Sequence, residues 1–395
     1  MTSDVTGFDE QDLLARFNQR FGSTKDCFHF FSPGRVNLIG DHTDYTGGVV
    51  LPCGIDTGTR LLIQKTPDQR FRFESTNFDY TADLSIEQIA HTHGKNWINY
   101  PLGVIDQFRQ KGFEISGINC VFSGNVPNGA GLSSSASIEV VTAFAINELF
   151  DCQLPLIELV KISMAAENEF VGMQCGIMDQ FAVTMAQQNH AMFLNCESLD
   201  YKQVPLNLGE YNIVLANTNQ RRELDGSAYN ERVAQCAQAL SIVQQALPVK
   251  SLGELSIEQL QSHMHLFEND NLALLRAQHV CGENARVNSA VHVLKQGDIA
   301  AFGKLMNESH NSLRDLYHVS SEPLDSLVAI ARKQDGVAGA RLTGAGFGGC
   351  TVNLIKQQAT QQFIELVGHE YQNTTGLTAD FYAIKPGNGV RQLTL

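Results

Sequence analysis

Leu13, Leu14, Phe17 and Phe21 recur three and four positions apart over residues 10–21, the spacing of one helical face. The run CFHFFSPGRVNLIG at 27–40 reads as strand, turn, strand, broken at Pro33 and Gly34. TRLLIQK at 59–65 and RFRFES at 70–75 are predicted strands, the second alternating apolar and polar. WINYPLGVIDQFRQKG is a helix that stops at Gly112, a residue suited to the left-handed position after a helix end. GINCVFSGNVP is a strand running into a glycine-rich loop, and SSSASIEVVTAFAINELF follows as a long helix. Residues 155–171 start on a proline suited to a first helical turn and continue as a helix through AAENEF. MDQFAVTMAQ is predicted helical and HAMFLNCES extended. From about residue 212 the pattern resets. YNIVLANTN is a strand, YNERVAQCAQALSIVQQAL a helix, 250–335 mostly helical, and GVAGARLTGAGFGGCTVNLI strand, glycine loop, strand. The reset puts a boundary between 196 and 212.

Composition narrows this picture. At 395 residues the chain is too long for one ordinary core. Hydrophobic residues at 43% and charged residues at 18% are the balance of a soluble globular protein. A formal net charge of −14 argues against a broad nucleic-acid or anionic-membrane surface. Phosphate could still be held by backbone N–H groups, a metal ion or a few placed basic side chains. The first residues carry early acids and no apolar signal core, and no run of about 18 apolar residues occurs, so neither export nor a membrane span is expected. Nine widely spaced cysteines without a CxxC predict reduced thiols and a cytoplasmic protein, with neither a zinc ribbon nor a disulfide framework.

Three glycine-rich stretches carry the candidate chemistry. In GRVNLIGDHTDYTGG, Gly34 to Gly48, the apolar Val36, Leu38 and Ile39 enter a core. Asp41, His42 and Asp44 then leave it together, as a loop whose polar groups converge on something small. In GNVPNGAGLSSSAS at 124–137, a glycine loop opens a helix, so unpaired N–H groups and the positive end of the helix dipole face one place. Ala130 and Gly131 stand where a Walker A loop needs Lys and Ser/Thr, so it is not a P-loop. Ser133, Ser134 and Ser135 exceed what one cap needs and add hydroxyls that could reach a metal. In GARLTGAGFGGC at 339–350, G-x-G-x-x-G is followed by a strand, which excludes the dinucleotide fingerprint. It reads as a strand–strand loop able to close over a ligand. Among the acids, helical Glu167 is by default a solvated face, whereas Asp179 sits among Ile177, Met178 and Phe181 and needs a partner there.

Together, these stretches resemble the GHMP small-molecule kinases, and most closely the branch that phosphorylates galactose. The first stretch resembles that branch's signature, the second the family's ATP loop, the third its third motif; CGIMDQ and GSAYN follow in the same order over about 30–390. The resemblance implies an α+β protein of two lobes, 1–200 like ribosomal protein S5 domain 2 and 201–395 ferredoxin-like, with the site between them. It implies phosphoryl transfer from ATP to the anomeric hydroxyl of α-D-galactose, with Mg²⁺, in a monomer. Carried over by position, Arg35 and Asp179 match the catalytic pair, and Ser135 and Glu167 the magnesium ligands. Gly129, Ala130, Gly131, Leu132, Ser133, Ser134 and Ser135 match the phosphate cradle. Asp41, His42, Thr43, Asp44, Gly176 and Tyr229 match sugar-binding positions. The chemistry is coherent: a carboxylate can take the sugar hydroxyl's proton as transfer proceeds, and an arginine beside it offsets developing charge.

Asp41 stands where that branch usually has Glu, Ala228 where Glu is common, and Val233 in place of an Arg, while Arg232 remains. These differences keep open a kinase for another galacto-configured sugar, such as N-acetylgalactosamine or arabinose. A galactose and ATP sensor without catalysis also stays open, though such sensors lack residues of the serine-rich loop that is intact here.

Overall fold

The computed structural model describes residues 10–90, 93–94, 96–127, 131–220 and 227–394. Its first sheet is built around the antiparallel pair Phe28–Asn37 and Pro52–Lys65, with Phe30 opposite Leu61. Ile118–Gly124 pairs with the second of these, and Phe71–Ser75 joins parallel to it. Helices Asn99–Gln110, Ser134–Leu149 and Leu156–Ala165 cover one face, burying Leu102, Val141 and Leu159 against Leu61, Phe73 and Phe122. The predicted helix Glu10–Phe21 covers the other face through Leu13 and Phe17. The last strand of the chain, Arg391–Leu393, returns to this sheet and pairs with Phe28–Asn37.

Phe28–Asn37 is one strand, not the two around a turn that its proline and glycine suggest. The register slips between Pro33 and Arg35, so the Pro-Gly pair is absorbed as a bulge. Opposite, Gly58 approaches so closely that a Cβ would lie 2.1 Å from the Ser32 oxygen. A bulge bends its strand and re-aims the side chains after it, here Arg35.

The second sheet takes its strands in the order Val337–Leu342, Cys350–Lys356, Tyr211–Asn217, Asp380–Ile384, all neighbours antiparallel. In chain order this is 2-3-1-4 with helical crossovers after the first and third strands, the ferredoxin-like βαββαβ arrangement. Helices Glu322–Arg332 and Thr360–Thr375 cover one face through Leu327, Phe363 and Tyr371. The other face meets the first lobe. Val36, Leu38 and Ile39 pack in one cluster with Ile213, Leu215 and Val352, so the apolar trio that precedes the polar loop welds the lobes together.

The helix expected over 155–171 is α-helical only to Ala165; Ala166–Val171 continues as a π turn. Such turns insert a residue into the helix and recur at functional sites. Glu167 is 5% exposed here, so the solvated default for a helical glutamate is overturned by the packing of the turn. All cysteines are free thiols. No helix among the described residues is long and apolar enough to cross a membrane.

Candidate active site

A cavity of about 1000 Å³ opens between the lobes. The bulged strand contributes Arg35, the polar loop Asp41, His42 and Asp44, and the serine-rich turn Gly131 to Ser135. Glu167, Gly176, Asp179 and Tyr229 line the rest, with Gly344 to Phe347 of the third glycine stretch as the opposite wall. Gly129 and Ala130 lie outside the described residues. Thr43 is fully buried and does not line the cavity; its hydroxyl shares its one proton between the carbonyls of Gly40 and Val49, 2.9 and 2.8 Å away, closing the polar loop.

At the centre, Arg35 grips Asp179 with two bonds, Nε to Oδ1 at 2.9 Å and Nη2 to Oδ2 at 2.8 Å. Asp179 thus has the partner its apolar neighbours demand. It lies in the first turn of Met178–Met185, where a helix N-terminus favours negative charge. The third Arg35 nitrogen, Nη1, donates to the Gly131 carbonyl at 2.7 Å, tying the pair to the serine-rich turn. Ser133 completes the link. It stands at the N-cap of Ser134–Leu149 yet makes no capping bond, and its hydroxyl donates to Asp179 Oδ2 at 2.5 Å. Its φ of 59° is left-handed, a conformation costing a non-glycine residue of order 1–2 kcal/mol. With the cap left open, the first N–H groups of the helix keep their freedom to bind an anion.

The Ser135 hydroxyl favours the charged form of Glu167, and Gln180 Nε2 bridges Glu167 and Glu139 at 2.6 and 3.1 Å. Sequence reasoning missed Glu139 and Gln180, although Glu139 follows Ser135 by one helical turn and so shares its face. Both are fully buried, and the Gln180 carbonyl oxygen finds no donor. The two glutamates are held on the same Gln180 amide nitrogen. Burial, then the Glu167 charge, pushes Glu139 well up; burial, then the Asp179 charge, raises Glu167. Hydroxyl, carboxylate and amide oxygens packed this way make a hard, electron-rich donor set that fits a small divalent cation such as Mg²⁺.

The polar loop is buried too. Asp41 accepts from Asn37 Nδ2 at 2.9 Å, the Gly344 N–H at 3.2 Å and, on its other oxygen, the fully buried Arg341. Arg341 also donates to the carbonyls of Asn37 and Leu38 at 3.1 Å each. The shorter acid is therefore engaged by Asn37 on one side and by Arg341 and Gly344 of the third glycine stretch on the other. Asp44 sits against Gly176, where a Cβ would fall 2.1 Å from its Oδ2. Burial, then the charge of Asp179, pushes the Asp44 carboxyl up to about 7. Tyr229 packs its ring 5.4 Å from Tyr45 and 5.7 Å from His42.

A second cavity of about 140 Å³ shares Ser134 and Ser135 and is lined by Phe78, Trp97 and Phe122. The Trp97 and Phe122 rings meet edge to face at 5.5 Å. This aromatic slot joins residues from three strands and loops. No single sequence window announces it.

Three family sequence models match the chain: GHMP kinases N terminal domain at 99–187, galactokinase galactose-binding signature at 15–65, and GHMP kinases C terminal at 290–370. A galactokinase of Fusobacterium nucleatum is 45% identical over 383 residues, spanning 96% of this chain and 98% of the relative. A galactokinase of Enterococcus faecalis is 45% identical, spanning 97% of this chain and 100% of the relative. Among solved structures, Lactococcus lactis galactokinase complexed with galactose superposes with a TM-score of 0.94 at 39% identity, over 97% of this chain and 99% of that one. The expected two-lobed α+β architecture is the one observed, and the chain belongs to the galactokinase family of GHMP kinases.

Proposed function

We propose that the chain transfers the γ-phosphoryl group of ATP to the anomeric hydroxyl of α-D-galactose, giving galactose 1-phosphate and ADP. The bidentate Arg35–Asp179 pair carries this reading, because it shares one cavity with the open helix N-terminus at Ser133–Ser135 and the Asp44–Gly176 corner. Asp44, Gly176 and Tyr229 would receive the sugar. A carboxyl poised near neutrality can donate or accept toward vicinal hydroxyls, and stereochemistry is read by such paired bonds. Asp179 then accepts the anomeric proton as the bond to phosphorus forms, while Arg35 holds it in line and offsets charge on the transferring group. The triphosphate lies along the N–H groups that open Ser134–Leu149, and the base enters the Trp97–Phe122 slot next to them.

Ser135 and Glu167 would hold Mg²⁺, which when bound neutralises the β- and γ-phosphate oxygens. Burial, then the charge of Asp179, raises Glu167 above its ordinary value, so its protonated form competes with the cation. Apparent Mg²⁺ affinity therefore falls as pH falls, since binding must expel the proton wherever the carboxyl carries one. Titrating the enzyme–nucleotide complex with Mg²⁺ at pH 8, 7 and 6 should show this weakening. Glu167→Gln should bind Mg²⁺ weakly at all three and lose the part of the pH slope that the nucleotide alone does not explain. A slope identical in the two proteins removes Glu167 from the metal site.

The direct test of the reaction is incubation with MgATP and a panel of hexoses and pentoses, followed by phosphorus NMR. A sugar 1-phosphate from galactose is expected. Phosphorylation of N-acetylgalactosamine or arabinose in its place would reassign the substrate, and nucleotide and galactose binding without product would make the protein a sensor.

A further inference from the structure

Five groups form a directed hydrogen-bond relay that runs through the polar loop and ends on the third glycine stretch. His42 Nε2 lies 3.1 Å from the Ala345 carbonyl oxygen. A carbonyl only accepts, so Nε2 carries the proton. Nδ1 is then the bare nitrogen of a neutral ring, and the Tyr45 hydroxyl 2.8 Å away donates to it. With its proton committed, the Tyr45 oxygen accepts from Tyr317 at 2.8 Å. Tyr317 in turn accepts from the Cys236 thiol at 2.9 Å.

Every proton along this chain has one direction. Burial keeps the ring neutral by holding His42 down to about 3, against the nearby Glu283 charge and alongside those of Arg232 and Arg341. Burial also pushes both phenols well up and the thiol up to about 11, so no member gives its proton away. Arg232 fixes the far end by donating to the carbonyls of Tyr317 and His318 at 3.0 Å each.

Both ring nitrogens of His42 are consumed by the protein. A sugar hydroxyl could bond the ring only by displacing Tyr45 or Ala345, exchanging one buried bond for another with no net gain. We propose that His42 is a positioning residue: its ring, oriented by Tyr45 and Tyr317, fastens the polar loop to the third glycine stretch and so fixes Asp44 and Tyr229 for the sugar. This rests on the sugar-kinase reading and departs from the ring-to-sugar contact that His42's position in the signature implies.

Nitrogen-15 NMR of the full chain labelled at histidine, with His42→Asn for assignment, reads the tautomer without disturbing the relay. His42 should show a bare Nδ1 and a protonated Nε2, both unmoved when galactose is added. The opposite tautomer, or a ring nitrogen whose shift changes with galactose in the way a new hydrogen bond demands, overturns the proposal. Tyr45→Phe removes the donor to Nδ1 and should raise the galactose KM about tenfold, with kcat within about threefold and the ATP KM unchanged. Tyr317→Phe should cost less, about threefold in galactose KM, because Tyr45 can still donate. An unchanged galactose KM in both variants overturns the proposal as well. If the unmodified protein fails to bind galactose, the sugar-kinase reading falls, and the tautomer still decides the relay.

Discussion

Asp179→Asn is expected to lower turnover about 10²–10⁴-fold while leaving galactose and nucleotide bound. Asparagine keeps the shape and one oxygen for Arg35, so the grip that now spans 2.9 and 2.8 Å loses one bond and its charge but not its geometry. Arg35 is only 5% exposed, and weakening its partner should cost about 1–3 kcal/mol of stability, measurable by chemical denaturation. The loss in rate must greatly exceed what that destabilisation explains. Ser133 sharpens the test, since its hydroxyl also donates to Asp179 Oδ2, and it would meet the asparagine amide unless the side chain flips. Steady-state kinetics at saturating galactose and MgATP, beside calorimetric binding of each ligand, separates the outcomes. A variant that keeps a tenth or more of the unmodified turnover shows that proton acceptance by Asp179 is not required, and catalysis would then rest on metal and positioning.

Gly176→Ala should weaken galactose binding about 100-fold, with ATP affinity nearly unchanged. The added Cβ would stand 2.1 Å from Asp44 Oδ2 and 2.6 Å from its Cγ, and the Tyr45 backbone nitrogen is 3.0 Å away on the same side. Neither the carboxyl nor the backbone can stay where it is. Asp44 would leave the backbone N–H groups of residues 44 and 45 that favour its charged form and swing out of the corner where it would meet the sugar. A hydrogen bond to a charged group is worth about 1.5–3 kcal/mol, so losing the pair of bonds that one carboxyl offers to neighbouring hydroxyls reaches about two orders of magnitude. The clash falls on Asp44 and the Tyr45 backbone and not on the serine-rich turn, which is why nucleotide binding should survive. Equal galactose affinity in Gly176→Ala and the unmodified protein would take Asp44 out of the sugar site.

Much of this was legible along the chain because its causes are local. Apolar spacing gave the helix at Glu10–Phe21 and the strand at Phe71–Ser75 within a residue of where they stand. A glycine turn before a helix presents unpaired N–H groups by its own geometry, so the serine-rich stretch stands out along the chain as a candidate anion site. The motifs likewise named Arg35 and Asp179. Their meeting is another matter, since they lie 144 positions apart and touch only because the bulge re-aims one while a helix start presents the other. Pro33 and Gly34 looked like a turn because local rules favour one, and the ladder on both sides overrode them. Burial was the quantity least readable from residue types. Glu167 looks like a solvated helical acid, and Glu139 draws no notice, until the π turn and the neighbouring helix remove water from both, and only then do their charges oppose each other strongly. The same holds for His42, whose tautomer is set by a carbonyl 303 positions away and a phenol three positions away. Propensity, caps and glycine chemistry act over a few residues and are written in order. Desolvation, ion pairing and proton direction depend on what distant segments bring alongside, and the packed lobes alone supply that.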